Sequence, residues 1–214
     1  MRPPSCHVLI ERTGASRRAV ASRDEIRLFA RCRNERLRLP AFFQHYRARG
    51  VYCFYMVDNE STDGTTYYLT TQPDVHLFRT TDSYSGSGSG TAWMNTLLAE
   101  FGVGCWCVTV DIDELLIFPG SEQVSLRRLT AHLDKRGHDV FVCMLLDLYP
   151  AGPLVDSPYA AGEDLIAAAP YFDAGPYGRA PLTECPGFLI SQLVRLGLMQ
   201  DGKAWRAARG EVSA

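Results

Sequence analysis

The chain alternates between stretches with strand-like and helix-like spacing of its apolar residues. Ile26 to Cys32 reads as a strand and ends in Arg33-Asn34-Glu35. Pro40 then opens a helix that runs to about Arg49 and stops at Gly50, with Phe42, Phe43 and Tyr46 at helical spacing. Val51 to Val57, rich in aromatics and Val, is a second strand that gives way to the turn-forming cluster Asp58 to Thr65. A short helix is predicted over Thr65 to Thr71 and a third strand over Val75 to Arg79. A Gly/Ser loop from Ser83 to Gly90 leads into a helix over Thr91 to Phe101, with Trp93, Leu97 and Leu98 on one face. Cys105 to Val110 is a continuous apolar strand that runs into Asp111-Ile112-Asp113-Glu114. Leu126 to Arg136 reads as a helix with Leu126, Leu129 and Leu133 spaced for burial, and Val140 to Leu148 as a last, wholly buried strand.

Strands alternating with helices of about three turns imply parallel pairing with right-handed crossovers. The expected fold class is therefore α/β: a layered sandwich with a mostly parallel sheet and helices on both faces. In such sheets ligands bind beyond the carboxyl ends of the strands. Those ends are where Arg33-Asn34-Glu35, Asp58 to Thr65 and Asp111 to Glu114 fall. Residues 1–23 are polar, Arg/Ser-rich and aperiodic, and read as a flexible extension; residues 24–150 form the layered domain. Residues 151–214 carry a weaker pattern, with a helix expected within Phe188 to Met199 and no strand signal from Asp201 onward.

Composition narrows the class. The chain has 214 residues, 46% hydrophobic and 21% charged, close to the soluble globular average. Its net charge of −2 and pI near 6.2 give no basic footprint for nucleic acid or an anionic membrane. No apolar run approaches the roughly 18 residues of a spanning helix, and Met1 to Arg23 lacks a signal-peptide core, so neither a transmembrane segment nor that secretion route is expected. The seven cysteines show no CxxC spacing, and most lie in apolar runs. A reduced, cytoplasmic protein is the expectation, with peripheral membrane association left open.

Asp111 and Asp113 are the sharpest candidates. Residues i and i+2 of a strand point the same way, and two carboxylates on one side repel unless a cation joins them. Mg²⁺ or Mn²⁺ commonly takes one or two carboxylates and completes its shell with phosphate oxygens. The bland alternative is a solvated turn after a strand. Asp58 to Thr65 reads either as a capped strand-to-helix connection or as a ligand-contacting loop through Asp58 and Asp63. Thr62 or Asp63 is placed to cap the next helix. Arg33 and Glu35 read as surface charges or as ligand contacts. Ser85 to Gly90 precedes a helix, but without a Walker lysine it reads better as a mobile loop than as a phosphate cradle. Trp106 reads as core, His45, His76, His132 and His138 show no ligand spacing, and no Ser nucleophile elbow is present.

Four motifs occur in a fixed order: Arg33-Asn34-Glu35; Leu39-Pro40-x-Phe42-x-x-His45-Tyr46-x-x-x-Gly50-Val51; Val57-Asp58-Asn59-x-Ser61-Thr62-Asp63-Gly64-Thr65; and Val110-Asp111-x-Asp113-Glu114. In this the chain resembles bacterial glycosyltransferase family 2-like proteins of GT-A fold, in particular the branch allied to family 92, over about residues 26–150. The resemblance implies an inverting, metal-dependent transfer of a sugar from a UDP- or GDP-sugar donor to a glycan or other hydroxyl acceptor. It implies that Asp63 and Glu35 approach the nucleoside, with Asp58 on the base or ribose and Arg33 near the diphosphate. It assigns the Mn or Mg to Asp113, with Asp111 beside the ribose or a metal-bound water. Glu114 orients the site, and Asn95 packs or bonds near the Gly/Ser loop. Asp147 is the candidate base for the acceptor's proton, against a plain turn residue before Tyr149-Pro150.

Two departures stand out. Glu60 occupies the position where relatives usually carry Gly. Relatives also continue with an Arg-rich segment and a late His that Leu182 to Ala214 does not match, which raises the expectation of a truncated or diverged acceptor side. A catalytically incomplete nucleotide-sugar-binding or partner protein is the alternative. A nucleotidyltransferase ranks below both, because Arg33-Asn34-Glu35 stands where such an enzyme wants a Gly-rich basic loop.

Overall fold

The computed structural model describes residues 10–11, 24–141, 143, 145–173 and 193–195. The strands are β1 (Ile10–Glu11), β2 (Ile26–Cys32), β3 (Cys53–Asp58), β4 (Val75–Arg79), β5 (Trp106–Thr109), β6 (Val140–Phe141) and β7 (Leu193–Arg195). The helices are α1 (Leu39–Ala48), α2 (Thr65–Thr70), α3 (Thr91–Phe101), α4 (Leu126–Lys135) and the short α5 (Leu165–Ala168). The sheet order is β1-β4-β3-β2-β5-β7-β6. The four central strands are parallel, and β1, β7 and β6 join antiparallel at the edges.

Strand alternation divides the core into two layers. On one face Ile26, Leu28, Phe54, Met56, Leu77 and Val108 pack against Phe42, Phe43 and Tyr46 of α1, Leu69 of α2 and Leu126 and Leu133 of α4. On the other face Phe29, Tyr55, Val57 and Cys107 pack against Trp93, Met94, Leu97 and Phe101 of α3. The fold is thus α/β, with a mostly parallel sheet and helices on both faces. Trp106 is core, as expected, and its indole N–H donates to Asp134 at 3.1 Å. Among the described residues no cysteine is in a disulfide; Cys32, Cys53, Cys105 and Cys107 are buried and Cys143 half-buried. Cys6 and Cys185 lie outside the described residues. Among the described residues no helix is long and apolar enough to cross a membrane.

Three expectations are corrected. The run from Val140 is not a wholly buried strand to Leu148: β6 ends at Phe141, is only half-buried, and Leu145 and Leu148 are exposed. The reason is position, since β6 is the outermost strand beyond β7 and meets only that neighbour. Within Phe188 to Met199, Leu193–Arg195 form a strand rather than a helix; they occupy the free edge of β5, whose backbone groups need partners. The remainder of that stretch, and the tail from Asp201, lie outside the described residues. In the N-terminal 23 residues, expected to be flexible, Ile10–Glu11 pair with Phe78 and Arg79 of β4. The rest of that segment is likewise outside them.

Candidate functional site

The parallel register brings three strand ends to one edge. Cys32 is level with Asp58, and Phe29 with Thr109. The connections after β2, β3 and β5 therefore meet at the carboxyl edge of the central sheet.

The first two connections are stitched together. Asn34, at φ 58°, donates its backbone N–H to Ser61 Oγ at 2.9 Å and accepts Thr62 N–H on Oδ1 at 2.8 Å. Glu35 N–H donates to Thr65 Oγ1 at 2.8 Å, and Arg36 N–H to Asp63 Oδ2 at 3.0 Å. Asp63 Oδ1 accepts Thr65 N–H at 3.0 Å, in the first turn of α2. Slight burial pushes the Asp63 carboxyl up, but its hydrogen bonds to Thr65 and Arg36 outweigh that and hold it below the usual range. Asp63 is thus a staple between two loops, and the cap position of α2 falls on neither Thr62 nor Asp63. Gly64 is the residue at the helix cap itself, at φ 91°.

Asp58 lies deeper. It is fully buried; Oδ1 accepts Ser61 N–H at 3.1 Å, and Oδ2 accepts Thr66 Oγ1–H at 2.5 Å. Arg79 Nε stands 3.3 Å from the same Oδ2, an ion-pair contact off the line of a hydrogen bond. Asp58 shapes the loop from inside. Glu60 sits in the left-handed region at φ 56°, which explains why a Gly suits this position.

The third connection differs from the expected geometry. β5 ends at Thr109, and Asp111 C=O accepts Glu114 N–H at 3.1 Å, so Asp111 and Asp113 stand on a turn rather than on strand positions i and i+2. Glu114 Oε2 closes that turn by accepting Asp111 N–H at 3.0 Å. From α1, Tyr46 hydroxyl donates to Glu114 C=O and accepts Leu116 N–H, both at 3.0 Å. His45 Nε2 lies 3.2 Å from Leu116 C=O.

Carboxylates dominate the electrostatics of this edge. Burial pushes Asp111 up; Arg31 pulls it down and the Asp113 charge adds to the rise. Burial likewise raises Glu35 against the pull of Arg38, whose Nη1 is 2.8 Å from Glu35 Oε2, with Asp113 and Asp63 adding to the rise. Glu114 is raised by burial, against its bond from Asp111 N–H, with the Asp111 and Asp113 charges adding to the rise. The Asp113 charge thus bears on Glu35, Asp111 and Glu114 alike.

Arg31, which the sequence reading passed over, answers that charge. Its Nη2 lies 3.0 Å from both Asp111 carboxylate oxygens. Its Cδ passes Gly90, where an added Cβ would come within 2.4 Å, and its guanidinium carbon stands 5.9 Å from the Tyr84 ring centroid. No sequence signal marked this contact, because Arg31 lies two residues past the last β2–β5 pair, Phe29 with Thr109, and meets Asp111 on the turn that follows β5. Tyr46 lies on the apolar face of α1 and within the second motif, and neither signals its hydroxyl bonds.

The Gly/Ser loop folds as successive turns: Gly86 N–H donates to Ser83 Oγ, Ser87 Oγ–H to Tyr84 C=O, and Gly90 N–H to Ser87 Oγ. Arg33 is exposed on the rim, Asn95 is half-buried in α3, and Asp147 is exposed beyond the end of β6 rather than at a strand end. Asp147 is not brought to the edge by any described strand.

No family model and no curated protein sequence matches this chain. Among solved structures, one described as 4-diphosphocytidyl-2C-methyl-D-erythritol synthase superposes with a TM-score of 0.35 at 10% identity, over 79% of this chain and 73% of that one. A likeness of that degree carries no functional argument.

Proposed function

We propose that the carboxyl edge of the sheet binds a nucleoside-diphosphate sugar and transfers its sugar to an acceptor hydroxyl, as the resemblance to GT-A glycosyltransferases implies. The observation that carries this reading is the joining of the loops after β2 and β3 through Asn34 and Asp63, beside the acidic turn of Asp111 and Asp113. In this reading the stitched loops take the nucleoside through Glu35 and Asp63, with Asp58 holding the loop's shape. Arg33 on the rim meets the diphosphate.

The donor set suits a hard cation. Among the described residues no three His, Cys, Asp or Glu side chains are grouped to hold a metal ion. Asp111 and Asp113 supply two carboxylates, and Mg²⁺ or Mn²⁺ accepts that number when phosphate oxygens and water fill the rest. The chemistry such an ion supplies when bound is offsetting charge on the departing diphosphate. The acceptor oxygen forms its bond to the anomeric carbon as the bond to the diphosphate breaks. The hydroxyl proton passes to a carboxylate of the acidic edge.

Calorimetric titration with UDP and GDP, with and without Mn²⁺, tests the reading. Saturable binding that needs Mn²⁺ and is lost in Asp113→Ala is the expected result. A folded chain that binds neither nucleotide would overturn it. Donor binding without transfer or hydrolysis would favour the binding-protein alternative.

A further inference from the structure

Arg31 has no role in the reading above, yet it is held on three sides. Its guanidinium contacts both oxygens of Asp111 at 3.0 Å. Its aliphatic stem runs past Gly90, a position at φ 76° where any Cβ would collide with Cδ at 2.4 Å. Tyr84 stands 5.9 Å from its guanidinium carbon, within cation–π reach. The backbone at Arg31 is held by pairing with Val57 of β3, two residues past the last β2–β5 pair, so the side chain rather than the backbone is placed to change partner. Neither end is sealed, because the Arg31 and Asp111 side chains keep 23% and 40% exposure.

We propose that Arg31 is a resident counter-ion which a divalent cation must displace from Asp111, and which couples cation binding to the arrival of a diphosphate. The proposal rests on the donor-site reading. A cation approaching Asp111 meets a guanidinium already on both carboxylate oxygens, and the two positive charges repel. Once displaced, the guanidinium needs another anion, and its planar fork matches phosphate oxygens. A diphosphate beside Asp111 supplies that anion. Cation and diphosphate then each raise the other's affinity by the same factor, as linkage requires.

The test titrates Mn²⁺ alone into wild type and Arg31→Met by calorimetry, then repeats it with saturating UDP. In Arg31→Met the affinity for Mn²⁺ alone should rise by about five- to tenfold, the order set by a half-buried ion pair plus repulsion between cations. UDP should then raise Mn²⁺ affinity less than it does in wild type, and UDP itself should bind more weakly. A side chain with a purely structural role would not improve Mn²⁺ binding on removal. Arg31→Lys, which keeps the charge but not the fork, should fall between the two and carries the test should the Met variant fail to fold. Unchanged or weaker Mn²⁺ binding in Arg31→Met, with Asp113→Ala still abolishing it, would overturn the role of Arg31 and leave the donor site standing. Absence of both Mn²⁺ and UDP binding in folded wild type and variant would overturn the two together.

Discussion

The Tyr46 hydroxyl and Glu114 carbonyl, from α1 and the acidic turn after β5, are hydrogen-bonded at 3.0 Å, and the same hydroxyl accepts Leu116 N–H. The tyrosine is fully buried, and desolvation pushes its phenol above the ordinary range, so it stays neutral and donates at any working pH. One side chain therefore ties the helix layer to the turn that carries Asp111 and Asp113.

Tyr46→Phe keeps the ring and deletes the hydroxyl. The Glu114 carbonyl and the buried Leu116 N–H lose their shared partner, and unmet polar groups of this kind cost about 1–3 kcal/mol. A matching fall in denaturant stability is expected, together with faster amide exchange at Leu116. An unchanged denaturation midpoint would show that water replaces the hydroxyl at no cost.

Glu60 carries backbone strain that its side chain does not need. It is exposed and left-handed at φ 56°. An L-residue there costs about 1–2 kcal/mol, of which the greater freedom of unfolded glycine takes back about 0.4–1. Glu60→Gly should accordingly stabilise the protein by up to about 1.6 kcal/mol, read as a higher melting temperature. A lower one would reveal a contribution from the Glu60 side chain that offsets the strain.

His45 makes the fold acid-sensitive. Burial and then the Arg49 charge lower it from 6.5 to about 4. Between those values the unfolded chain binds a proton that the native chain does not, so stability is full above pH 6.5 and falls as pH drops toward 4. The raised carboxyls of Glu35, Asp111 and Glu114 work the other way, because the native state takes their protons more readily as pH falls. The His45 contribution therefore appears as a difference. His45→Gln retains a donor for Leu116 C=O, and the gap in stability between it and wild type should shift in the variant's favour from pH 6.5 down to 4. A gap that is flat across that window would show that native His45 takes up its proton as readily as the unfolded chain.

The order of elements, the parallel class and the location of the polar edge were legible along the chain. Each follows from local causes: Pro40 and Gly50 bracket α1, the unbroken apolar run into Val110 marks a central strand, and turn-forming clusters follow β2, β3 and β5.

What only the tertiary structure decided was which groups of that edge meet. Asp111 and Asp113 look like strand neighbours in the sequence, but β5 loses its pairing after Thr109, and the Glu114 bonds turn the backbone there. Leu193–Arg195 become a strand because β5 has a free edge to fill, a demand set by a neighbour distant in sequence. Arg31 meets Asp111 where the chain turns just past the last β2–β5 pair, and Tyr46 meets Glu114 through the stacking of a helix on the sheet. Local sequence determines φ and ψ preferences and burial periodicity, which suffice for elements. Partners across elements depend on register and layer contacts, which long-range packing settles.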